Sequence, residues 1–304
     1  MSDFSFLGNP LTKQWVILAP RRSKRPNISK GTETNICPFC PGGEEQEVFR
    51  VPSLRDTEEG AKKLQIDSGQ IGRTAWQVLV VNNKYPFAPI HEIIIHSPDH
   101  HQNFGELPVG QITQILRTYK QRYNVHKDKG NVVIFHNHGE TGGESLPHPH
   151  TQLAVIPYDV RLEISPRVEP EDPLKTDYFD IYCPRTAQWP DEVWIAPKRR
   201  GLFFGESEDE ELTNLALCLQ RIIQLLDIRH GHEFPYNFYI YPGNDWYLRI
   251  IPRLKILGGF EVATNVFVQS QDPFETEVFI KTHFDNPNFE KIESELQAVY
   301  AKAV

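Results

Sequence analysis

Two histidines separated by a single proline, His148-Pro149-His150, stand just ahead of the apolar run Leu153–Ile156. In an extended strand, side chains two residues apart share a face, about 6.5–7 Å apart along the chain. One imidazole can then hold a metal while its neighbour faces a substrate. Pro149 has no N–H for a ladder, which points to a sheet edge or a strand end, open to a ligand. An unprotonated histidine is a nucleophile at neutral pH, and phosphorus is a suitable target. For that chemistry its second ring nitrogen must donate to a fixed acceptor such as a backbone carbonyl. Gln152 shares the face of His150, and its amide can donate to a phosphate oxygen. Ser145 and the N–H groups of Gly142 and Gly143 are further neutral donors. The plainer alternative makes His150 another metal ligand and Gln152 a surface amide.

Cys37-Pro38-Phe39-Cys40 is a C-x-x-C turn, a spacing that suits tetrahedral zinc once two further ligands are supplied. His148 is one candidate, and His100, after the apolar run of residues 93–95, is another. A redox pair and two unpaired structural thiols are the alternatives, although no thioredoxin-like βαβ pattern surrounds the turn to favour the first. His136 and His138 could be ligands but read more simply as solvated loop residues, and His91 and His96 read as strand residues with satisfied hydrogen bonds. His230 and His232 read as cations at a helix C-terminus.

These residues need elements to carry them. A helical period runs from Val109 to Tyr123 through Ile112, Ile115, Leu116 and Tyr119. A strand at Val132–Phe135, a glycine-rich loop at His138–Gly143 and a strand at His148–Ile156 follow. In the second half, Ser207 and Glu210 form a capping-box signature before a stripe of Leu212, Leu215, Leu219, Ile222, Ile223 and Leu226. Gly231 is the stop, and strands at Asn237–Tyr241 and Trp246–Pro252 come next. Helix, strand, loop, strand thus occurs twice, the mark of a diverged duplication. Upstream strands are expected at Trp76–Val81 and His91–His96, and at Val193–Ala196 and Gly201–Phe204. Short connections favour antiparallel sheets with helices on one side, an α+β fold. Arg161–Asp177, with Pro166, Pro170 and Pro173, reads as the linker between domains 1–160 and 161–304. Residues 41–70 read as a mobile surface loop, and Phe289, Ile292, Leu296 and Val299 as a C-terminal helix.

The chain has 304 residues, 39% hydrophobic and 24% charged, with a formal net charge of -8. That balance suits a globular protein and argues against a general nucleic-acid or anionic-membrane surface. No run approaches the roughly 18 apolar residues of a membrane span. Met1–Phe6 lacks a basic region followed by an apolar block, and the four cysteines suggest no disulfide framework. A reducing cytoplasm is the expected compartment.

Several segments, in order, resemble the galactose-1-phosphate uridylyltransferase family of the histidine-triad superfamily. They are Asn9–Trp15, Pro20–Pro26, Cys37–Gly42, Asn83–Pro86, His91–Ile95, Ser97–His100, His148–Gln152 and Gly258–Glu261. The resemblance implies two histidine-triad-like domains, each an antiparallel half-barrel sheet with packed helices. It further implies a homodimer whose active site uses both subunits, and ping-pong transfer between a nucleotide sugar and a sugar 1-phosphate. His150 would attack the α-phosphorus of UDP-glucose and hold uridylate as a phosphoramidate, which galactose 1-phosphate then takes. Cys37, Cys40, His100 and His148 match the family's zinc ligands. With all four positions filled by protein, that zinc would be structural. Arg22, Arg25, Asn83, Asn137, Ser145 and Gln152 match nucleotide or phosphate contacts, and Glu261 a sugar contact.

The chain also departs from the pattern. The histidines of a second metal site in many relatives are missing from Trp246–Arg249, so one zinc per chain is expected and no second metal. Val262–Phe267 lacks a glutamine that helps hold the hexose, and Lys84 stands where some relatives have an acid near the nucleoside. These differences open an alternative, an ADP-sugar-type phosphorylase or a hydrolase sharing His150. A non-catalytic zinc-binding module is the rival from another class. It has no use for Arg22, Arg25, His150 and Gln152 together.

Overall fold

The computed structural model describes residues 4–25, 37–41, 47–52, 76–285 and 287–300. Strands β1 (Ser5–Gly8) and β2 (Trp15–Leu18) form a separate hairpin. The remaining strands are β3 (Glu47–Pro52), β4 (Trp76–Asn82), β5 (Ile90–Ile95), β6 (Asn131–His138), β7 (His150–Ile156), β8 (Leu174–Lys175), β9 (Phe179–Tyr182), β10 (Val193–Pro197), β11 (Tyr236–Ile240) and β12 (Leu248–Pro252). They join in one open, antiparallel, ten-stranded sheet of order β3-β4-β5-β7-β6-β11-β12-β10-β9-β8. This order is symmetric about the β6–β11 seam: β6 answers β11, β7 answers β12 and β5 answers β10. Helix α1 (Val109–His126) leads into β6, and α2 (Asp209–His230) leads into β11.

Both helices lie on one face of the sheet. Ile112, Ile115, Leu116 and Tyr119 of α1 and Leu215, Leu219, Ile222 and Leu226 of α2 recur at helical spacing. They bury against Ile94, Ile134, Leu153, Phe238 and Ile250 in a core that crosses the seam. Strand alternation then fixes the opposite face. In β6, Val132, Ile134, His136 and His138 are buried, while Val133, Phe135 and Asn137 turn outward. Part of that outward face is covered by Phe6, Trp15 and Ile17 of the hairpin, which pack on Ala154 and Ile156. The C-terminal part carries α3 (Gly259–Thr264), α4 (Pro273–His283) and α5 (Phe289–Tyr300). Among the described residues, no helix is long and apolar enough to cross a membrane.

Some expectations need correction. Gly201–Phe204 is not a strand; it is a loop entering a 3-10 turn at Phe204–Glu206, and β9 and β8 complete the sheet instead. The capping box lies one residue later, with the Glu208 N–H donating to the Glu211 carboxylate at 2.7 Å. Ser207 instead donates its hydroxyl to the Phe204 carbonyl. Within residues 41–70, Glu47–Pro52 is strand β3, and 42–46 and 53–70 lie outside the described residues. The segment Arg161–Asp177 ends in β8 and is otherwise irregular.

Candidate active site

His150 opens β7, in the interior of the sheet, so Pro149 marks a strand end and not a sheet edge. His148 itself precedes the strand. The His150 Nδ1–H donates to the His148 carbonyl at 2.8 Å. That bond fixes the tautomer and leaves the lone pair on Nε2. Burial pushes the imidazole pKa down to about 4, against the His148 hydrogen bond and with help from the Arg25 charge. The ring is therefore neutral at pH 7.

Cys37, Cys40, His100 and His148 bring four ligand atoms within 4.8 Å of one another, an arrangement able to hold a metal ion. The Cys40 sulfur lies 3.4 Å from His100 Nδ1 and 3.6 Å from His148 Nδ1, and the Cys37 sulfur lies 3.7 Å from His148 Nδ1. Tetrahedral zinc with ordinary Zn–S and Zn–N bonds sets sulfur and nitrogen about 3.6 Å apart. The quartet therefore fits zinc in both chemistry and spacing. The Nε2–H of His148 donates to the Ser97 carbonyl at 2.9 Å, which turns Nδ1 toward the thiolates. The Phe39 N–H donates to the Cys37 sulfur at 3.4 Å.

The 3-10 turn Pro20–Lys24 brings two guanidinium groups to the site. Arg25, just after it, donates to the Ser145 hydroxyl. Arg22 donates to the Tyr85 carbonyl at 2.8 Å and lies 5.0 Å over the Phe87 ring. Burial lowers the pKa of both, so each gives up hydration that an anion would replace. Phe87 packs edge-on against His91, with centroids 4.2 Å apart. The Phe87 N–H donates to His91 Nδ1 at 3.3 Å, so His91 Nε2 carries the proton and donates to Gln152 Oε1 at 3.0 Å. The NH2 of Gln152 is thereby left as the outward donor. Asn83 accepts from the Tyr85 N–H at 2.8 Å, and its Nδ2 lies 3.1 Å from His91 Nε2.

Asn137 continues the β6–β7 register beside His150, following the pair Phe135–Gln152. Its Oδ1 accepts from Asn237 Nδ2 at 2.9 Å. Glu261 stands apart at the start of α3. Its carboxylate accepts from the Gly258 N–H at 3.0 Å and lies 3.6 Å from Lys255. Among the described residues, no hydrogen bond or ion pair joins it to the other site residues.

Two readings of individual residues change. The Gly142 and Gly143 N–H groups are spent within the loop, on the carbonyls of Gly139 and Glu140 at 3.1 and 2.9 Å. A Cβ on Gly142 would run into the carbonyls of His138 and Tyr236, and Gly139 and Gly143 take φ of +73° and +81°. His136 and His138 are buried in β6, and His136 Nδ1 donates to the His150 carbonyl at 2.9 Å. His230 ends α2, the helix C-terminus expected of it, and lies 2.8 Å from Asp191. Sequence reasoning did not single out Phe39 or Asn237, and it gave His91 a merely structural part. Each acts on a site residue from behind, and only its neighbours in space reveal it.

The sequence profile of the galactose-1-phosphate uridyl transferase N-terminal domain matches residues 7–155. An ADP-glucose phosphorylase of Arabidopsis thaliana is 26% identical over 87% of this chain and 89% of its own length. The galactose-1-phosphate uridylyltransferase of Thermotoga maritima is 27% identical over 75% of this chain and 77% of its own. In fold, the chain is similar to a crystal structure of an ADP-glucose phosphorylase from Arabidopsis thaliana with bound ADP-glucose, at a TM-score of 0.66 and 23% identity. That match covers 91% of this chain and 98% of the other. A uridylyltransferase structure matches at a TM-score of 0.70 and 22% identity, covering 91% and 97%.

Proposed function

The chain belongs to the galactose-1-phosphate uridylyltransferase family, and from that premise we propose that it transfers a nucleoside monophosphate from a nucleotide sugar to a sugar 1-phosphate through His150. The observation that carries this reading is the 2.8 Å hydrogen bond from His150 Nδ1 to the His148 carbonyl. It leaves a neutral imidazole with its Nε2 lone pair available. In the first half-reaction, Nε2 forms a bond to the α-phosphorus as the bond to the sugar-phosphate oxygen breaks, and sugar 1-phosphate departs. In the second, an oxygen of the incoming sugar 1-phosphate attacks the same phosphorus, and the N–P bond breaks. Gln152, Asn137 and Ser145 are proposed phosphate donors, Arg22 and Arg25 the neutralising charges, and Asn83 a nucleotide contact. Glu261 is the proposed sugar contact.

Zinc, one ion per chain on Cys37, Cys40, His100 and His148, supplies structure: it would fix the carbonyl that orients His150. Residues 1–160 carry this machinery, and 161–304 form the diverged second domain. A homodimer in a reducing cytoplasm completes the reading. Exposed Ile256, Phe260, Val262 and Val266 offer apolar surface for such a contact.

One alternative acceptor has specific support. The ADP-glucose phosphorylase relative covers 87% of this chain, and the glutamine missing after Glu261 weakens the case for a hexose. Inorganic phosphate would then discharge the same adduct. Incubation with α-phosphate-labelled UDP-glucose and ADP-glucose tests both readings. Label is expected on the protein, stable to base and labile to acid, and absent from His150→Ala. Discharge by sugar 1-phosphate, phosphate or water identifies the acceptor. A wild-type protein that labels with neither donor overturns the covalent reading and favours a zinc module without catalysis.

A further inference from the structure

We propose that Asn237, held by Arg253, is a positioning residue for this transfer: it turns the Asn137 amide so that its NH2, and not its oxygen, is offered beside His150. The inference rests on the nucleotidyl-transfer reading and adds to it a contribution from the second half of the chain.

The two ends of a carboxamide have nearly the same shape, so hydrogen-bond partners decide which end points where. Here the partners act in one direction only. A guanidinium can only donate, and Arg253 Nη1 donates to Asn237 Oδ1 at 3.0 Å. A backbone carbonyl can only accept, and the Gly142 carbonyl accepts from Asn237 Nδ2 at 2.7 Å. The polarity of Asn237 is thus fixed at both ends. Its Nδ2 also donates to Asn137 Oδ1 at 2.9 Å, which occupies the acceptor end of Asn137. No hydrogen bond among the described residues uses the NH2 of Asn137.

The seam gives this relay its direction. Asn137 and Asn237 are register partners across β6 and β11. On the other side of β6, the register that pairs Phe135 with Gln152 continues to place Asn137 opposite His150. Alternation puts Asn137, Gln152 and His150 on the same outward face. With its oxygen turned to a phosphate, Asn137 would repel it; with its NH2 so turned, it donates. A donor already oriented before the reaction is worth most in the transition state. Arg253 is itself anchored: its N–H donates to the Pro235 carbonyl at 2.7 Å, and its guanidinium lies 4.6 Å over Trp189.

The test uses the full-length, zinc-loaded protein and a single-turnover rate of His150 labelling at saturating donor, with melting temperature and zinc content measured alongside. In Asn237→Asp the carboxylate still accepts from Arg253 but has no proton for Asn137, which then turns its NH2 inward. Labelling is expected to slow roughly ten- to hundredfold. In an Asn137→Ala background, the same substitution should cost less than about twofold, because its effect passes through the missing amide. If Asn237→Asp melts too low to assay, Arg253→Met replaces it, with a several-fold loss expected only when Asn137 is present. Labelling at the wild-type rate, or equal proportional losses in both backgrounds, overturns the proposal. A wild-type protein that never labels overturns the transfer reading instead.

Discussion

The ring of Phe39, inside the Cys37–Cys40 turn, sits edge-on to the imidazole of His150, with centroids 5.1 Å apart. The same ring packs against the apolar cluster of Trp76, Leu79, Ile93 and Ile95. The Cys37–Cys40 turn is therefore part of the packing that buries His150. Zinc in the quartet would hold this turn and the His148 carbonyl at once.

Cys37→Ser, or prolonged chelation, should therefore remove zinc and slow His150 labelling together. Zinc of about one equivalent per chain is expected by metal analysis of the wild type, falling toward zero in the variant. Even ~3 kcal/mol of zinc-linked stability corresponds to a fall of roughly 5 °C in melting temperature for a chain of this length. Two equivalents in the wild type, or an unchanged melt after metal loss, would contradict a single structural ion.

The parts of this site that were legible from sequence are those written in local spacing. The C-x-x-C turn, the His-Pro-His step and the alternation through Gln152 each depend on a few adjacent residues. The core stripes of α1 and α2 were legible for the same reason, since period alone fixes their buried faces. Misreadings arose where tertiary contacts overrule local pattern. His136 and His138 look like solvated polar residues, yet pairing with β11 extends β6 through them and buries both. Gly201–Phe204 reads as an apolar run, but the Leu202 carbonyl accepts from the Asp245 and Trp246 N–H groups in a loop. Phe179–Tyr182 is only four residues long, and β10 provides the partner that makes it a strand. Asn237 carries no local signal, because its work is done on Asn137, one hundred residues away.

Glu92 predicts the acid limb of stability. It faces the helices, buried, and takes Arg122 Nε and Nη2 at 2.9 and 2.6 Å and His126 Nε2 at 2.9 Å. Burial alone pushes its carboxyl up, but the bonds from His126 and Arg122 outweigh this and leave it below its ordinary value. Such a group contributes full stability above the ordinary glutamate range and loses it as pH falls through its lowered folded value. Arg122→Met leaves the carboxylate buried with His126 alone, at a cost of about 3–5 kcal/mol near neutrality. The melting-temperature gap between wild type and variant should narrow as pH falls from about 7 to about 4. A gap constant across that range would show that Glu92 is not the titrating partner.

Glu144 has the opposite sign. Burial raises its carboxyl to about 7, against the hydrogen bond it accepts from the Gly139 N–H and with help from Glu233. The folded chain then binds the proton more tightly than the unfolded chain. Stability is lost as pH rises from the ordinary glutamate range through about 7. Glu144→Gln keeps an oxygen for the Gly139 N–H, 2.8 Å away, and removes the charge. Its melting temperature relative to wild type should climb between about pH 5 and about pH 8. Calorimetry at the two pH values decides the matter: a relative melting temperature that does not change leaves Glu144 titrating normally.

His91 should control Gln152 as a donor. Its Nδ1 is occupied by the Phe87 N–H, its Nε2–H is committed to Gln152 Oε1, and burial lowers its pKa to about 4. It therefore stays neutral and keeps one tautomer throughout the physiological range. His91→Phe keeps a ring against Phe87 but withdraws the proton from Gln152, whose amide is then free to turn its oxygen outward. A loss of about tenfold in the His150 labelling rate is expected, with donor affinity changed less, since an oriented donor matters most as charge develops on phosphorus. In a Gln152→Ala background the same substitution should add little. Single-turnover labelling across the four proteins measures this directly. If His91→Phe labels at the wild-type rate while retaining its zinc, the direction of the Gln152 amide is set by something other than His91.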